Sequence, residues 1–179
     1  MLKDVTLGQF FPGSSIVHRL DRDTSGLMLC AKNDEVGYIL QDEIRRRNVD
    51  RKYLCLVHGN IASDTGLIDA PIFRSDKNRT RMQVSDKPQA RSSVTTFNVL
   101  ERFESGLKDN GFTLVECKLY SGRTHQIRVH MEYINHWVVG DQTYGNPGKS
   151  SNLGLCRQFL HSYFIEFQHP CINLSLIHI

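Results

Sequence analysis

His18-Arg19-Leu20-Asp21-Arg22-Asp23-Thr24-Ser25-Gly26 joins two apolar segments, Ser15 to Leu20 before it and Leu27 to Ala31 after it. Both flanks have strand character, and Thr24 to Gly26 supply the residue types that turn a chain between strands. The pattern places Asp21 at a strand end between Arg19 and Arg22. Cations beside a carboxylate favour its ionised form, which is the form a nucleophile or an electrostatic stabiliser needs.

Outward from this stretch, the chain alternates between the two periodicities. Residues 33–47 read as a helix: Asn33 or Asp34 can cap it, and Val36, Ile39, Leu40 and Ile44 make one apolar face. Arg45 to Arg47 suit its C-terminal dipole. Residues 51–58 read as a strand closed by Gly59-Asn60, and residues 66–87 as an exposed, basic excursion with short strands. Residues 93–103 and 111–120 read as two strands joined by a polar loop that contains Gly106, Asp109, Asn110 and Gly111. Thr124 can cap a short helix through about Ile134, with Ile127, Met131 and Ile134 on one side. Residues 140–151 are turn-rich, and 159–167 again favour a strand. Strands dominate and two helices flank them, which predicts an α+β fold on a mixed, mainly antiparallel sheet.

With 179 residues the chain is one domain's worth, and its 40% hydrophobic and 23% charged shares are those of a globular protein. No run approaches the ~18 apolar residues of a membrane span, and Met1 to Asp4 lack a signal-peptide layout. The expectation is a cytoplasmic monomer. The 5 cysteines form no C-x-x-C pair, which argues against a disulfide scaffold or a zinc site. The net charge of +3 decides little. Its distribution says more, because Arg45 to Arg47, Arg51-Lys52, Lys77 with Arg79 and Arg81, and Arg123 with Arg128 can converge on a phosphate-tracking surface. For any single cluster, a solvated face is an equally good account.

Three chemistries compete for the opening stretch and the histidines. Asp21-x-Asp23-x-Ser25-Gly26 starts like a calcium loop, but position twelve is Lys32 where a bidentate Glu is required. Asp21 and Asp23 lie on one side of an extended chain, roughly 6.5–7 Å apart, so a glycosidase-like pair stays open though weak. His125 and His130 are spread on a helix and lack a carboxylate partner in sequence, so no metal is expected. A second dense segment is Ser121-Gly122-Arg123-Thr124-His125-Gln126-Ile127-Arg128-Val129-His130, which follows a strand and opens a helix. Helix starts and Arg forks both receive anions.

HRLDRDTSGLMLCAK, DRKYLCLVHG, SGRTHQIRVHMEYINH with VGDQTYG, and FLHSYFIEFQHP stand in this order along the chain. Together they resemble the RluA/RluD-type family of pseudouridine synthases, over residues from about 14 to 170. The resemblance implies the pseudouridine synthase fold, and isomerisation of uridine in structured RNA without cofactor or metal. Ribosomal RNA is favoured as substrate and tRNA is second. It implies that Asp21 is the catalytic aspartate, that Tyr53 stacks on the target base and takes part in proton transfer, and that Arg128 pairs with Asp21. Arg19 is expected to assist base flipping, and Thr24, Arg123, His125 and Gln126 to contact RNA. Flipping suits the physics, since a base edited inside folded RNA must leave its stack. The family's opening N-K-P-x-G segment has no match before His18, and residues 171–179 do not resemble its closing strand. Truncation at both ends, with exposed sheet edges, is therefore expected. Trp137 stands where the family usually has Pro. The rival reading is a catalytically inactive RNA-binding remnant.

Overall fold

Asp50 to His58 form the central strand: six of its nine residues are buried and none is exposed. In a computed structural model, which describes residues 12–104, 110–145, 152–172 and 174–179, the elements run β1 (Ser15–Ile16), β2 (Ser25–Gly26), β3 (Cys30–Ala31), α1 (Asp34–Arg46) and β4 (Asp50–His58). They continue as β5 (Thr65–Asp69), β6 (Ile72–Arg74), β7 (Met82–Val84), β8 (Val94–Phe103), β9 (Phe112–Leu119), α2 (Gln126–Tyr133), β10 (Leu160–Gln168) and β11 (Ser175–His178). The main sheet has the order β11-β10-β4-β9-β8-β5, antiparallel throughout, and β2 joins β10 in parallel. The architecture is the mixed, mainly antiparallel α+β fold that the periodicities predict.

The core lies where α2 packs on β4, β9 and β8. Cys55, Val57, Val115, Cys117 and Phe97 from the sheet meet Ile127 and Met131 from the helix. Helix α1 is capped by Asn33, whose side chain accepts the Val36 N–H at 2.9 Å, and it ends with Arg47 in the left-handed region. Val36, Leu40 and Ile44, spaced by four, pack with Val17 and Ala31. Ile39 instead faces solvent, 40% exposed, because it lies off that four-residue row.

Four local expectations are corrected. The segments around the opening stretch are not continuous strands: only β1 and β3 pair, and the His18 side chain accepts the Leu29 N–H at 3.0 Å where a ladder bond would stand. The excursion at 66–87 is not wholly exposed. Its β5 joins the main sheet, and Ile72 on β6 is buried with Val129 and Tyr144. Thr124 does not cap α2. His125 occupies that position with φ 57° and no side chain caps the helix; the Gln126 side chain instead ties down the preceding turn by accepting the Arg123 N–H at 3.0 Å. Residues 171–179, which lack any family pattern, include β11, which pairs with β10 at the sheet edge. Gly106 and Asp109 of the polar loop lie outside the described residues.

Gly26 holds β2 against β10. It has φ 114°, and an added Cβ would stand only 2.1 Å from the Ser162 carbonyl oxygen. Gly26→Ala is expected to cost at least about 2 kcal/mol, since strain and overlap act together. Urea unfolding of the variant against the parent chain measures it.

Candidate active site

The turn that carries Asp21 is tied to the sheet from both sides. The Thr24 N–H donates to the Asp21 carbonyl at 3.1 Å, closing the turn, and Asp23 completes it with φ 69°. The Gln158 amide donates to the Arg22 carbonyl at 2.7 Å and to the Thr24 hydroxyl at 3.1 Å. Arg157 donates to the Asp23 carbonyl, and the Leu27 N–H to the Ser162 carbonyl at 2.8 Å. Segment 157–162 is therefore the platform on which the Asp21 turn sits.

The cation nearest Asp21 comes from the far end of the chain. Arg128 Nη1 on α2 lies 3.4 Å from Asp21 Oδ2 and is, among the described residues, its ion-pair partner; Arg19 and Arg22 are not. This corrects the local picture of a carboxylate gripped by its sequence neighbours. Asp141, in the turn after α2, fixes the Arg128 fork: Nε donates to Oδ2 at 2.6 Å and Nη2 to Oδ1 at 2.9 Å. Asp141 Oδ1 also accepts the N–H groups of Thr143 and Tyr144 at 2.8 and 2.9 Å. Burial by itself would raise the Asp141 pKa, but the Arg128 hydrogen bonds and charge and the two backbone donors outweigh it and hold the pKa below the usual value. For Arg128, burial is likewise outweighed by Asp141, and its pKa is raised. Both stay charged. One guanidinium thus serves two carboxylates, tightly for Asp141 and loosely for Asp21. The three groups together keep one negative charge, and Asp21 presents it to the cleft.

Behind Arg128 stands Tyr144, whose ring lies 4.9 Å from the guanidinium carbon. Its hydroxyl accepts the Met82 N–H at 2.8 Å and lies 2.7 Å from His125 Nδ1. Burial, chiefly, lowers the His125 pKa, so this imidazole is neutral near pH 7 and shares a hydrogen bond with the Tyr144 hydroxyl.

Tyr53 projects from β4 and is buried beside Asp21. Burial raises its pKa, which Arg51 and the Ser162 hydroxyl only partly oppose, so the phenol keeps its proton at neutral pH. Asp21, Tyr53, Arg19, Thr24, Arg123 and Gln126 line one cleft of about 440 Å³. That volume falls in the small-ligand range of roughly 300–1,000 Å³. Arg128 and His125 are not among the residues that line it. Within the cleft, the Thr24 hydroxyl is engaged by Gln158. The buried Gln126 amide bonds Ser121, Arg123, Val94 and Thr95, which leaves it no free group for a ligand. Asp23 is exposed and does not line the cleft, so the paired-carboxylate arrangement is not formed. Among the described residues no group of three or more His, Cys, Asp or Glu is placed to hold a metal. His130 is instead locked in the core between Thr95 and the Ala70 carbonyl.

Sequence reasoning missed Asp141 and His18 and took Arg51 only as part of a basic cluster. Its place in the cleft carried a readable signal, since it stands two residues before Tyr53 on the same strand face. The His18 pKa is pushed down to about 4 by burial first and by the Arg51 charge second. Its folded value lies below the ordinary 6.5, so its contribution to stability is complete above pH 6.5 and is lost as pH falls toward about 4. In His18→Gln, whose amide oxygen can still accept the Leu29 N–H, the decline of Tm across pH 6.5 to 4 is expected to be shallower. Thermal melts at intervals through that window test this.

Residues 12–133 match the family model described as RNA pseudouridylate synthase. An uncharacterized RNA pseudouridine synthase of Bacillus subtilis (strain 168) is 47% identical over 163 residues, which cover 91% of this chain and 50% of that protein. A ribosomal large subunit pseudouridine synthase D of Nitrosomonas europaea is 41% identical over 164 residues, covering 89% and 45%. The solved structure of human RNA pseudouridylate synthase domain containing 1 superposes with a TM-score of 0.82 at 28% identity, covering 97% of this chain and 71% of that one. The chain spans about half the length of the curated relatives it matches. No helix among the described residues is long and apolar enough to cross a membrane.

Proposed function

Because the chain belongs to the RNA pseudouridylate synthase family, we propose that it isomerises uridine in structured RNA to pseudouridine, with Asp21 as the catalytic carboxylate. The observation that carries this reading is the Asp21–Arg128–Asp141 arrangement: an anion fixed, but not neutralised, beside Tyr53 in a cleft. The target uridine leaves its stack, helped by Arg19, and its base lies against Tyr53. As the C1′–N1 bond breaks, its electron pair goes to the uracil ring and positive charge grows on the sugar. The Asp21 carboxylate answers that charge, either by bonding to C1′ or by taking the 2′ proton. The uracil turns and C5 bonds to C1′ as the Asp21 oxygen departs with its electron pair or, on the other route, as Asp21 returns the 2′ proton; the C5 proton is then lost and N1 gains one. No atom enters or leaves overall, so no cofactor is called for.

Ribosomal RNA is the favoured substrate, by analogy with the large-subunit relative from Nitrosomonas europaea, and tRNA is second. The test is pseudouridine mapping of total RNA from cells with and without the gene. Loss of one or a few discrete pseudouridines, restored by the wild-type gene, is the expected result. An unchanged map, with the purified chain still binding RNA, would favour the inactive remnant.

A further inference from the structure

Arg51 is a buried charge that the proposed chemistry does not use. It is 6% exposed, its Nε has no hydrogen-bond partner, and no carboxylate of a described residue lies within 4 Å of it. Its guanidinium rests against Gly122, where an added Cβ would stand 3.5 Å from Nη1. The imidazole of His18, whose pKa the Arg51 charge helps to lower, is neutral at pH 7 and offers no counter-charge. Arg128 shows what this fold does with a structural arginine: it supplies a buried carboxylate fork. Arg51 receives nothing of the kind, and an uncompensated buried charge is strongly unfavourable. Arg47 and Arg123 line the same cleft, again without a carboxylate partner among the described residues. Burial, Arg91 and Arg47 all lower the Arg123 pKa, so these cations stand close enough to repel one another.

We propose that Arg51 forms the floor of an anion subsite, walled by Arg47 and Arg123, that receives the RNA backbone phosphate adjoining the uridine held at Asp21 and Tyr53. The assignment rests on the functional reading above and sharpens it. A guanidinium fork matches a phosphate bidentately, and a phosphate contact fixes register without reading sequence. The phosphate supplies the counter-charge that the protein withholds.

The test uses the 179-residue chain with Arg51→Met and Arg51→Lys. One arm needs no RNA: thermal unfolding in inorganic phosphate is compared with chloride at equal ionic strength. Phosphate is expected to raise the Tm of the parent chain and of Arg51→Lys, and to lose most of that effect in Arg51→Met. In chloride, Arg51→Met is expected to melt no lower than the parent, because the uncompensated charge is gone. A lower melting point in chloride with the phosphate effect intact would make Arg51 structural and overturn the proposal. The second arm measures affinity for RNA carrying the mapped uridine, with a single methylphosphonate at its 5′ or 3′ phosphate. Arg51→Met and one of the two methylphosphonates are each expected to weaken binding at least about tenfold, and not additively. Additive losses at both positions would overturn the proposal. So would slowed conversion at saturating RNA with affinity unchanged, which would assign Arg51 to the departing uracil. If the chain fails to isomerise uridine, the functional reading falls, while the phosphate arm still decides the subsite.

Discussion

Asp21→Asn is expected to slow pseudouridine formation at least about 10³-fold, some 4 kcal/mol of barrier, with RNA affinity nearly unchanged. The amide has the shape of the carboxylate but neither its charge nor its nucleophilicity. What the substitution spares is equally specific. The turn is closed by the Asp21 backbone carbonyl, not its side chain. Arg128 keeps its fork on Asp141, so no buried cation is orphaned. The folded structure and the cationic cleft wall therefore persist. Nucleoside analysis of digested RNA after single-turnover reaction gives the rate, and filter binding gives the affinity. A parallel fall in affinity would point to a binding carboxylate in place of a catalytic one.

Asp141→Asn carries the second large effect, and it falls on stability as well as activity. It removes the charge paired with Arg128, whose side chain is 6% exposed. Breaking a buried pair from one side costs about 3–5 kcal/mol. For a chain of this size, that corresponds to a drop in Tm of roughly 6–20 °C. Activity falls with it, because Arg128 loses the fork that fixes its position beside Asp21. Adding Arg128→Met to Asp141→Asn is expected to restore most of the stability and none of the activity. The introduced amide oxygen still accepts the Thr143 and Tyr144 N–H groups that the carboxylate holds, and the charge left without its partner is that of Asp21, which opens to the cleft. Calorimetry and nucleoside analysis on the same samples separate the two. The folded Asp141 pKa lies below its ordinary 3.8, so the pair's stabilisation is complete above that pH and is lost as pH falls further. Acid unfolding of Asp141→Asn should lack this component.

The reason Asp141 was invisible and Asp21 was not lies in how each is specified. Asp21 sits in a dense local pattern of turn formers and charges, so one stretch of sequence singles it out. Asp141 sits in a turn that reads as a turn, and its role exists only because the chain after α2 folds back on Arg128. The same limit explains Arg19 and Arg22: they adjoin Asp21 in sequence, but its partner is 107 residues away. Helix α1 was legible because capping and a four-residue apolar row are local. The start of α2 was not, since a long-range hydrogen-bond cluster around Gln126, reaching Val94 and Thr95 on β8, displaces Thr124 from the cap. Likewise the His18 imidazole, standing in for a ladder bond, turns an apparent strand into a bridge between two short ones.

Release of tritium from RNA labelled at uridine C5 tests the central claim most directly, because formation of the C5–C1′ bond must expel that hydrogen. The account predicts release approaching one equivalent of the mapped uridine with the 179-residue chain, no free uracil, and none of this release with a folded Asp21→Asn variant that still binds the RNA. Equal release by that variant, or release of free uracil by the parent chain, would contradict it.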